Sequence, residues 1–256
     1  MNKTQIEWVK NPDGTPGYTW NPITGCLNNC PYCYARRLAN GRLRERYLAN
    51  KNVPDNMLPE HWEAGHTDPF YPRFWEDKII DAVRSNISKR KARGIFTCDM
   101  SDLFGIGIPE EWTRRVIEVC KGNWRDRFYL LTKQPQNLIK FSPFPDNCWV
   151  GVTATDHFMY KKALPILGEI QAKVKYISFE PLLHHVDIEA EPFQDYQLDW
   201  LIIGAQTKPT VYPDIEWVQE ITEACDKAGV KVFHKDNLKS IFPTPTNTLR
   251  QELPNA

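Results

Sequence analysis

Three cysteines crowd one short segment, Gly25-Cys26-Leu27-Asn28-Asn29-Cys30-Pro31-Tyr32-Cys33-Tyr34-Ala35, at the spacing C-x3-C-x2-C. Thiolates are soft ligands, and a cubane iron–sulfur cluster is normally held by four of them. Three on one loop can wrap three irons and leave the fourth open to bind a substrate. Asn28, Asn29 and Pro31 favour turns that bring the sulfurs to one side, and Gly25 lets the backbone approach closely. Two other chemistries share these residues. A structural zinc site needs four ligands, so a distant Cys or His would have to complete it, and no second CxxC or HxxxH is present. Thiol redox chemistry would use Cys30-Pro31-Tyr32-Cys33, a CPYC sequence. It leaves Cys26 without a role, and the segment ahead, Asn21-Pro22-Ile23-Thr24-Gly25, is turn-like rather than a strand.

The other four cysteines, Cys98, Cys120, Cys148 and Cys225, are scattered and read as small buried hydrophobes. Seven is an odd number, and Met1–Glu7 holds no apolar signal stretch, so a disulfide framework is not expected. No apolar run approaches a bilayer-spanning length. These features suit a cytoplasmic protein with no membrane partner. At 256 residues, 41% hydrophobic and 25% charged, the chain can bury a sizeable core. Its 32 Lys/Arg balance 32 Asp/Glu, which removes a strong global field for nucleic acid. The balance is uneven along the chain: residues 1–128 carry 20 basic and 16 acidic side chains, a net of +4. The excess sits in Arg36, Arg37, Arg42, Arg44 and Arg46, and in Lys89, Arg90, Lys91 and Arg93. Each run suits either a solvated face or a phosphate contact.

Short apolar runs that suit a covered parallel sheet recur downstream: Ile95–Cys98, Phe128–Leu131, Trp149–Thr153, Val174–Phe179, Trp200–Gly204 and Val230–Phe233, with a shorter one near Tyr18–Trp20. Helical stretches alternate with them. One opens at Pro109-Glu110-Glu111, others lie near 157–170 and 214–228, and an Arg-rich one runs from Tyr34 to Ala49. The pattern predicts an α/β fold, a partial (β/α)6-type TIM barrel with parallel strands. An irregular insertion is expected around 50–77, where Pro54, Pro59, Pro69 and Pro72 fall. One domain over 1–242 and a C-terminal tail with little structure over 243–256 complete the expectation. Each strand candidate ends in polar residues: Asp99 and Ser101, Thr132 and Lys133, Thr155 and Asp156, Glu180, Gln206, His234 and Lys235. Carboxyl ends of parallel strands are where barrels and doubly wound sheets both gather their sites.

Cys26, Cys30 and Cys33, with Tyr32 before the last cysteine, match CxxxCxΦC, and the chain resembles the radical S-adenosylmethionine (SAM) superfamily. It is similar to a phage-associated branch of it, with spore photoproduct lyase as a more distant likeness. Thr19-Trp20-Asn21-Pro22, Asp99-Met100-Ser101-Asp102-Leu103-Phe104, Leu130-Leu131-Thr132-Lys133, Gly151-Val152-Thr153, Ser178-Phe179-Glu180-Pro181-Leu182-Leu183, Ile202-Ile203-Gly204 and Phe233-His234-Lys235 carry the likeness as an ordered set. The resemblance implies a [4Fe-4S] cluster on Cys26, Cys30 and Cys33, with SAM chelating the open iron. Reductive cleavage of SAM then gives a 5′-deoxyadenosyl radical that abstracts hydrogen. It further implies Tyr32 against adenine, and Asp99 and Ser101 near the methionine amine, although the usual Gly-Gly-Glu form is missing. Thr132, Lys133, Thr153 and Glu180 would contact ribose, carboxylate, adenine or substrate. Lys235 would face the substrate, and Arg36 and Arg37 would hold a carboxylate or phosphate. Cys98 is either a buried structural thiol or the group that returns hydrogen to a substrate radical, as a thiol does in spore photoproduct lyase. The implied partners are a reductant such as flavodoxin or ferredoxin and a substrate that is a nucleotide or modified nucleobase in DNA. The compartment would be the host cell cytoplasm if the chain is phage-encoded.

Overall fold

The computed structural model describes residues 1–54, 59–85, 90–242 and 249–255. The chain divides into two compact units.

The first unit comprises residues 1–5, 9–134 and 145–147. Its strands are β1 (Asn2–Lys3), β2 (Tyr18–Trp20), β3 (Ile23–Thr24), β4 (Arg73–Phe74), β5 (Gly94–Thr97) and β6 (Arg127–Thr132). β2, β5 and β6 run parallel in that order, with β1 antiparallel on the outer side of β2, and β3 pairs β4 as a separate antiparallel ribbon. Its helices are α1 (Tyr34–Asn40), α2 (Arg44–Ala49), α3 (Pro59–Thr67), α4 (Glu76–Arg84) and α5 (Glu110–Gly122). α5 carries Trp112, Val116, Ile117 and Cys120 inward, and Glu110 and Glu111 in its first turn complement the positive helix end.

The Arg-rich stretch is two helices rather than one, because Gly41, at φ −101° and ψ −119°, leaves helical geometry and ends α1. The segment 50–77 is not irregular throughout. It holds α3 and β4, and fully buried Arg73 organises it. The Arg73 guanidinium donates to the carbonyls of Asn50 (3.1 Å), Tyr71 (2.7 Å) and Gly65 (2.7 Å). In the second basic run Lys91 is exposed beside Asp13, and the two arginines are already engaged. Arg90 and Arg93 both bind the buried carboxylate of Asp126, while Lys89 lies outside the described residues.

The second unit comprises residues 6–8, 135–144 and 148–256. Strands β7 (Cys148–Thr153), β8 (Val174–Phe179), β9 (Trp200–Ile203) and β10 (Lys231–His234) form one parallel row in sequence order. Helices α6 (His157–Glu169), α7 (Glu191–Asp195) and α8 (Ile215–Ala228) accompany them. α8 stops at Gly229, whose φ of +72° is the left-handed cap that glycine adopts without strain. Both units are α/β, with parallel rows β2–β5–β6 and β7–β8–β9–β10, and the strands form open rows rather than a closed barrel. No described helix is long and apolar enough to cross a membrane.

The C-terminal segment is also more ordered than expected. Glu252 N–H donates to the Val232 carbonyl, Gln251 bridges Phe233, and the Glu252 carbonyl accepts from Trp200 Nε1 at 2.9 Å. Residues 243–248 and 256 lie outside the described residues.

One face of the second unit's sheet is closed by rings. Trp200 meets Trp8, Trp149, Tyr176 and Phe233 at centroid separations of 6.0, 5.9, 5.5 and 6.1 Å. Such tilted and edge-on pairs add to the area they bury. Gly151 is directly opposite Tyr176, and a Cβ there would overlap the Tyr176 ring. Gly151→Ala is therefore expected to cost about 1–3 kcal/mol by overpacking, read as a lowered denaturant midpoint at unchanged slope.

Candidate functional site

In the first unit, the cysteine loop and the segment 99–102 meet beyond the carboxyl ends of β2 and β5. The loop leaves β3 through Gly25 at φ +87°. A side chain there would overlap the Tyr71 carbonyl, so only glycine fits. Gly25 N–H donates to Met100 O at 2.9 Å, and Cys26 N–H to Phe70 O at 2.9 Å. Ser101 Oγ donates to the Gly25 carbonyl at 2.5 Å. The loop thus leans on the segment after β5 from one side and on residues 70–71 from the other. Arg36 closes it, donating to the Cys26 carbonyl (3.1 Å) and pairing with Asp68 (3.4 Å), its guanidinium 5.0 Å from the Phe70 ring centroid.

Cys26, Cys30 and Cys33 are free thiols, each partly exposed. Cys26 Sγ accepts the Asn28 N–H (3.4 Å), and Cys33 Sγ accepts the Arg36 N–H (3.3 Å) as the N-cap of α1. Cys26 and Cys33 also pack on an apolar cluster of Ala35, Ala39, Tyr47, Phe70 and Met100. Burial first, and then the Asp102 charge, push the Cys26 thiol up to about 12. A bound cation would deprotonate it outright. Three soft donors, two backbone N–H groups aimed at sulfur and an apolar flank fit a thiolate-ligated cluster, because sulfur hydrogen bonds and exposure tune such centres. Among the described residues no three His, Cys, Asp or Glu groups are placed to hold a single metal ion.

Asp102 organises the far side of the loop, a role that the sequence motif containing it did not reveal. It is buried, and its Oδ2 accepts from Asn28 Nδ2 (2.9 Å) and from Lys133 N–H (2.9 Å). Gln134 Nε2 then donates to Asn28 Oδ1 at 2.7 Å. The end of β6 is thereby tied to the cysteine loop. The Lys133 ammonium lies 5.9 Å from the Tyr32 ring centroid, within cation–π range. Thr132 is buried and its Oγ1 accepts the Gln134 N–H.

Asp99 is held by Asn21 Nδ2 (2.6 Å) and by Tyr34 Oη, which donates to its backbone carbonyl (2.6 Å). Burial raises its carboxyl above the usual range despite these donors. Cys98 lies just past β5 at φ +63°, is 2% exposed, and burial pushes its thiol up.

In the second unit, Thr153, Ser178 and Glu180 lie above the ring layer. Thr153 is buried and faces Ser178 across the β7–β8 register. Glu180 Oε2 accepts from Trp8 Nε1 (2.7 Å) and Ser178 Oγ (3.2 Å). Its Oε1 pairs with the Lys235 ammonium at 2.6 Å, and Lys235 also reaches Glu7 at 3.5 Å. Burial alone would lower the Lys235 ammonium, but Glu180 and Glu7 outweigh it and hold it above its usual value. Cβ of a residue at Gly204 would press on the Lys235 stem and on Glu180, so glycine leaves room for the pair. Trp8 and Glu7 were not predicted. Their partners stand 172 residues or more away, and no local spacing signals them. His234, named with Lys235 as a strand-end polar residue, is buried. Its Nε2 lies 3.0 Å from Thr222 Oγ1, and burial first, then Arg250, lower it to about 4.

A family model described as "Protein of unknown function (DUF5131)" matches residues 3–240. No curated protein matches the sequence. Among solved structures, a point mutant of spore photoproduct lyase is similar at 12% identity with a TM-score of 0.51, covering 90% of this chain and 80% of that one. A second point mutant gives 14% identity and 0.51 over 92% and 80%. Spore photoproduct lyase complexed with dinucleoside spore photoproduct gives 12% and 0.50 over 91% and 81%. Identities this low show a shared fold. The family match covers nearly the whole described chain, and the chain belongs to the DUF5131 family.

Proposed function

We propose that this chain is a radical SAM enzyme acting on a nucleotide or modified nucleobase in DNA. The reading is carried by one loop on which three free thiols, two of them accepting backbone N–H groups, stand within eight residues. The shared fold with spore photoproduct lyase, one structure of which holds a dinucleoside photoproduct, supports the enzyme class and the kind of substrate.

Cys26, Cys30 and Cys33 would hold a [4Fe-4S] cluster, with SAM beside it. Bound together, the two supply one-electron cleavage of a sulfonium and hydrogen abstraction from an unactivated C–H bond. The chain's own residues do the rest. Asn28, Asp102 and Gln134 fix the loop, and the apolar cluster flanks Cys26 and Cys33. Tyr32 offers a ring to adenine with Lys133 beside it. Asp99 and Ser101 line the methionine end, Ser101 through its hold on Gly25. Thr132, Thr153 and Glu180 are the oxygen-bearing residues assigned to ribose. Lys235, kept charged by Glu180 and Glu7, faces the substrate. Cys98, sealed in the core, is assigned the hydrogen-return role only if the substrate reaches it. A small reductant such as flavodoxin or ferredoxin delivers the electron.

The test is anaerobic reconstitution with iron and sulfide, reduction, and quantification of 5′-deoxyadenosine from SAM. The proposal expects product above the unreduced control. A colourless zinc protein, or a protein that reduces disulfides without consuming SAM, would overturn it.

A further inference from the structure

Helix α6 presents a surface that the proposed chemistry does not use. Phe158 is 78% exposed, more than any other large apolar side chain among the described residues. Lys161 and Lys162 are exposed one turn further on, at the i+3 and i+4 positions that share its face. Neither lysine side chain has an ion-pair partner among the described residues. Between Asp156 and Glu169 the helix carries no acidic side chain, and the Asp156 carboxylate is occupied by the Met159 N–H at 2.8 Å. A single exposed ring is ordinary on a protein surface. A ring with two unneutralised ammonium groups on one face is a different combination, an aromatic platform with a phosphate grip.

Its position adds an independent argument. α6 starts directly after β7, and the connection is tied to the segment that carries Glu180. Ala154 N–H donates to Ser178 O (3.0 Å), and Leu183 N–H and His184 N–H donate to Thr155 O (3.0 and 3.3 Å). Phe158 therefore stands at the strand end where Glu180 and Lys235 lie.

We infer that the Phe158–Lys161–Lys162 face grips a single-stranded stretch of DNA beside the reacting nucleotide, an inference that rests on the DNA-directed reading above. An unpaired base stacks on the Phe158 ring while the two ammonium groups take flanking phosphates. A duplex does not satisfy this face, because neighbouring pairs cover its base planes.

The test is fluorescence anisotropy of a labelled oligodeoxythymidine of about 20 nucleotides, titrated with reconstituted protein across a salt series. Phe158→Ala is expected to weaken binding about tenfold, as the loss of one stacked base does. The double variant Lys161→Ala/Lys162→Ala is expected to flatten the plot of log K against log salt by about 1.4, two phosphate contacts on a single strand. Both variants should form 5′-deoxyadenosine without DNA as the parent does, and a duplex of the same length should bind more weakly. The inference is overturned if the parent does not bind the single strand, if both variants bind like the parent, or if the duplex binds as tightly and loses as much with Phe158→Ala. Failure of the enzyme reading is scored separately, as absence of 5′-deoxyadenosine from the parent.

Discussion

Replacing any one of Cys26, Cys30 or Cys33 by alanine is expected to reduce bound iron and sulfide from about four each per chain to a small residue, and 5′-deoxyadenosine to background. Two thiolates on one loop do not retain a cubane against competing ligands. The three positions should differ in stability as well as in metal. Cys26 and Cys33 pack on Ala35, Ala39, Tyr47, Phe70 and Met100, whereas Cys30 is not part of that cluster. Cys26→Ala and Cys33→Ala should therefore lower the melting temperature of metal-free protein, and Cys30→Ala should barely move it. Iron analysis with thermal melts of metal-free and reconstituted samples checks both parts. Equal iron content in a single-cysteine variant and the parent would contradict the ligand assignment. Serine in place of Cys33 can still accept the Arg36 N–H, so it separates the capping role from the metal role.

The largest stability effect is expected at Asp126, which lies outside the three-cysteine loop. Its side chain is fully buried and receives both Arg90 nitrogens at 2.6 Å, Arg93 Nη2 at 2.9 Å and the Arg93 backbone N–H at 2.9 Å. Asp126→Ala leaves two partly buried guanidinium groups without their counter-ion, a change that costs about 3–5 kcal/mol. Urea unfolding should show a midpoint lowered by that amount over the transition slope, and a shift within the error of the parent would contradict it. The same carboxylate makes the fold acid-sensitive. Burial alone would raise it, but Arg90 and Arg93 hold it below the usual range in the folded state. A group lowered on folding contributes stability above its unfolded value of about 3.9 and loses it as pH falls through its folded value. Parent protein should therefore lose stability below about pH 4, and Asp126→Asn should show a shallower loss over the same window.

Local signals read well from this sequence, and long-range ones do not. The cysteine loop is legible because its ligands stand within eight residues and Gly25 and Pro31 punctuate it. β7, β8 and β9 are legible because each is apolar on both faces, as strands covered on both sides are. β3 and β4, two residues each, are too short to show any period, so residues 21–25 read as turn-like although Ile23–Thr24 is a strand, and residues 50–77 read as irregular although buried Arg73 binds the segment together through carbonyls. Gly41 marks the end of α1, yet the alternation of Arg and Leu around it continues the helical pattern through the break. The polar tail looks unstructured because its anchors are all long-range: a backbone pairing with β10, the Trp200 indole N–H, the Val232 N–H on Glu252 and the Arg250–Asp226 pair. At the site, Glu180 and Lys235 were visible as polar residues after apolar strands. Their mutual pairing was not, nor were Glu7 and Trp8, which reach them from the chain's start. Asp102 was quoted within a motif, but its grip on Asn28 and Lys133 depends on tertiary structure alone.

Iron and acid-labile sulfide, counted per chain in protein purified and reconstituted without oxygen, test the central claim most directly. The account predicts about four of each, with a broad absorption near 400 nm that fades on reduction. Protein carrying zinc in place of iron, or no inorganic sulfide at all, would contradict it.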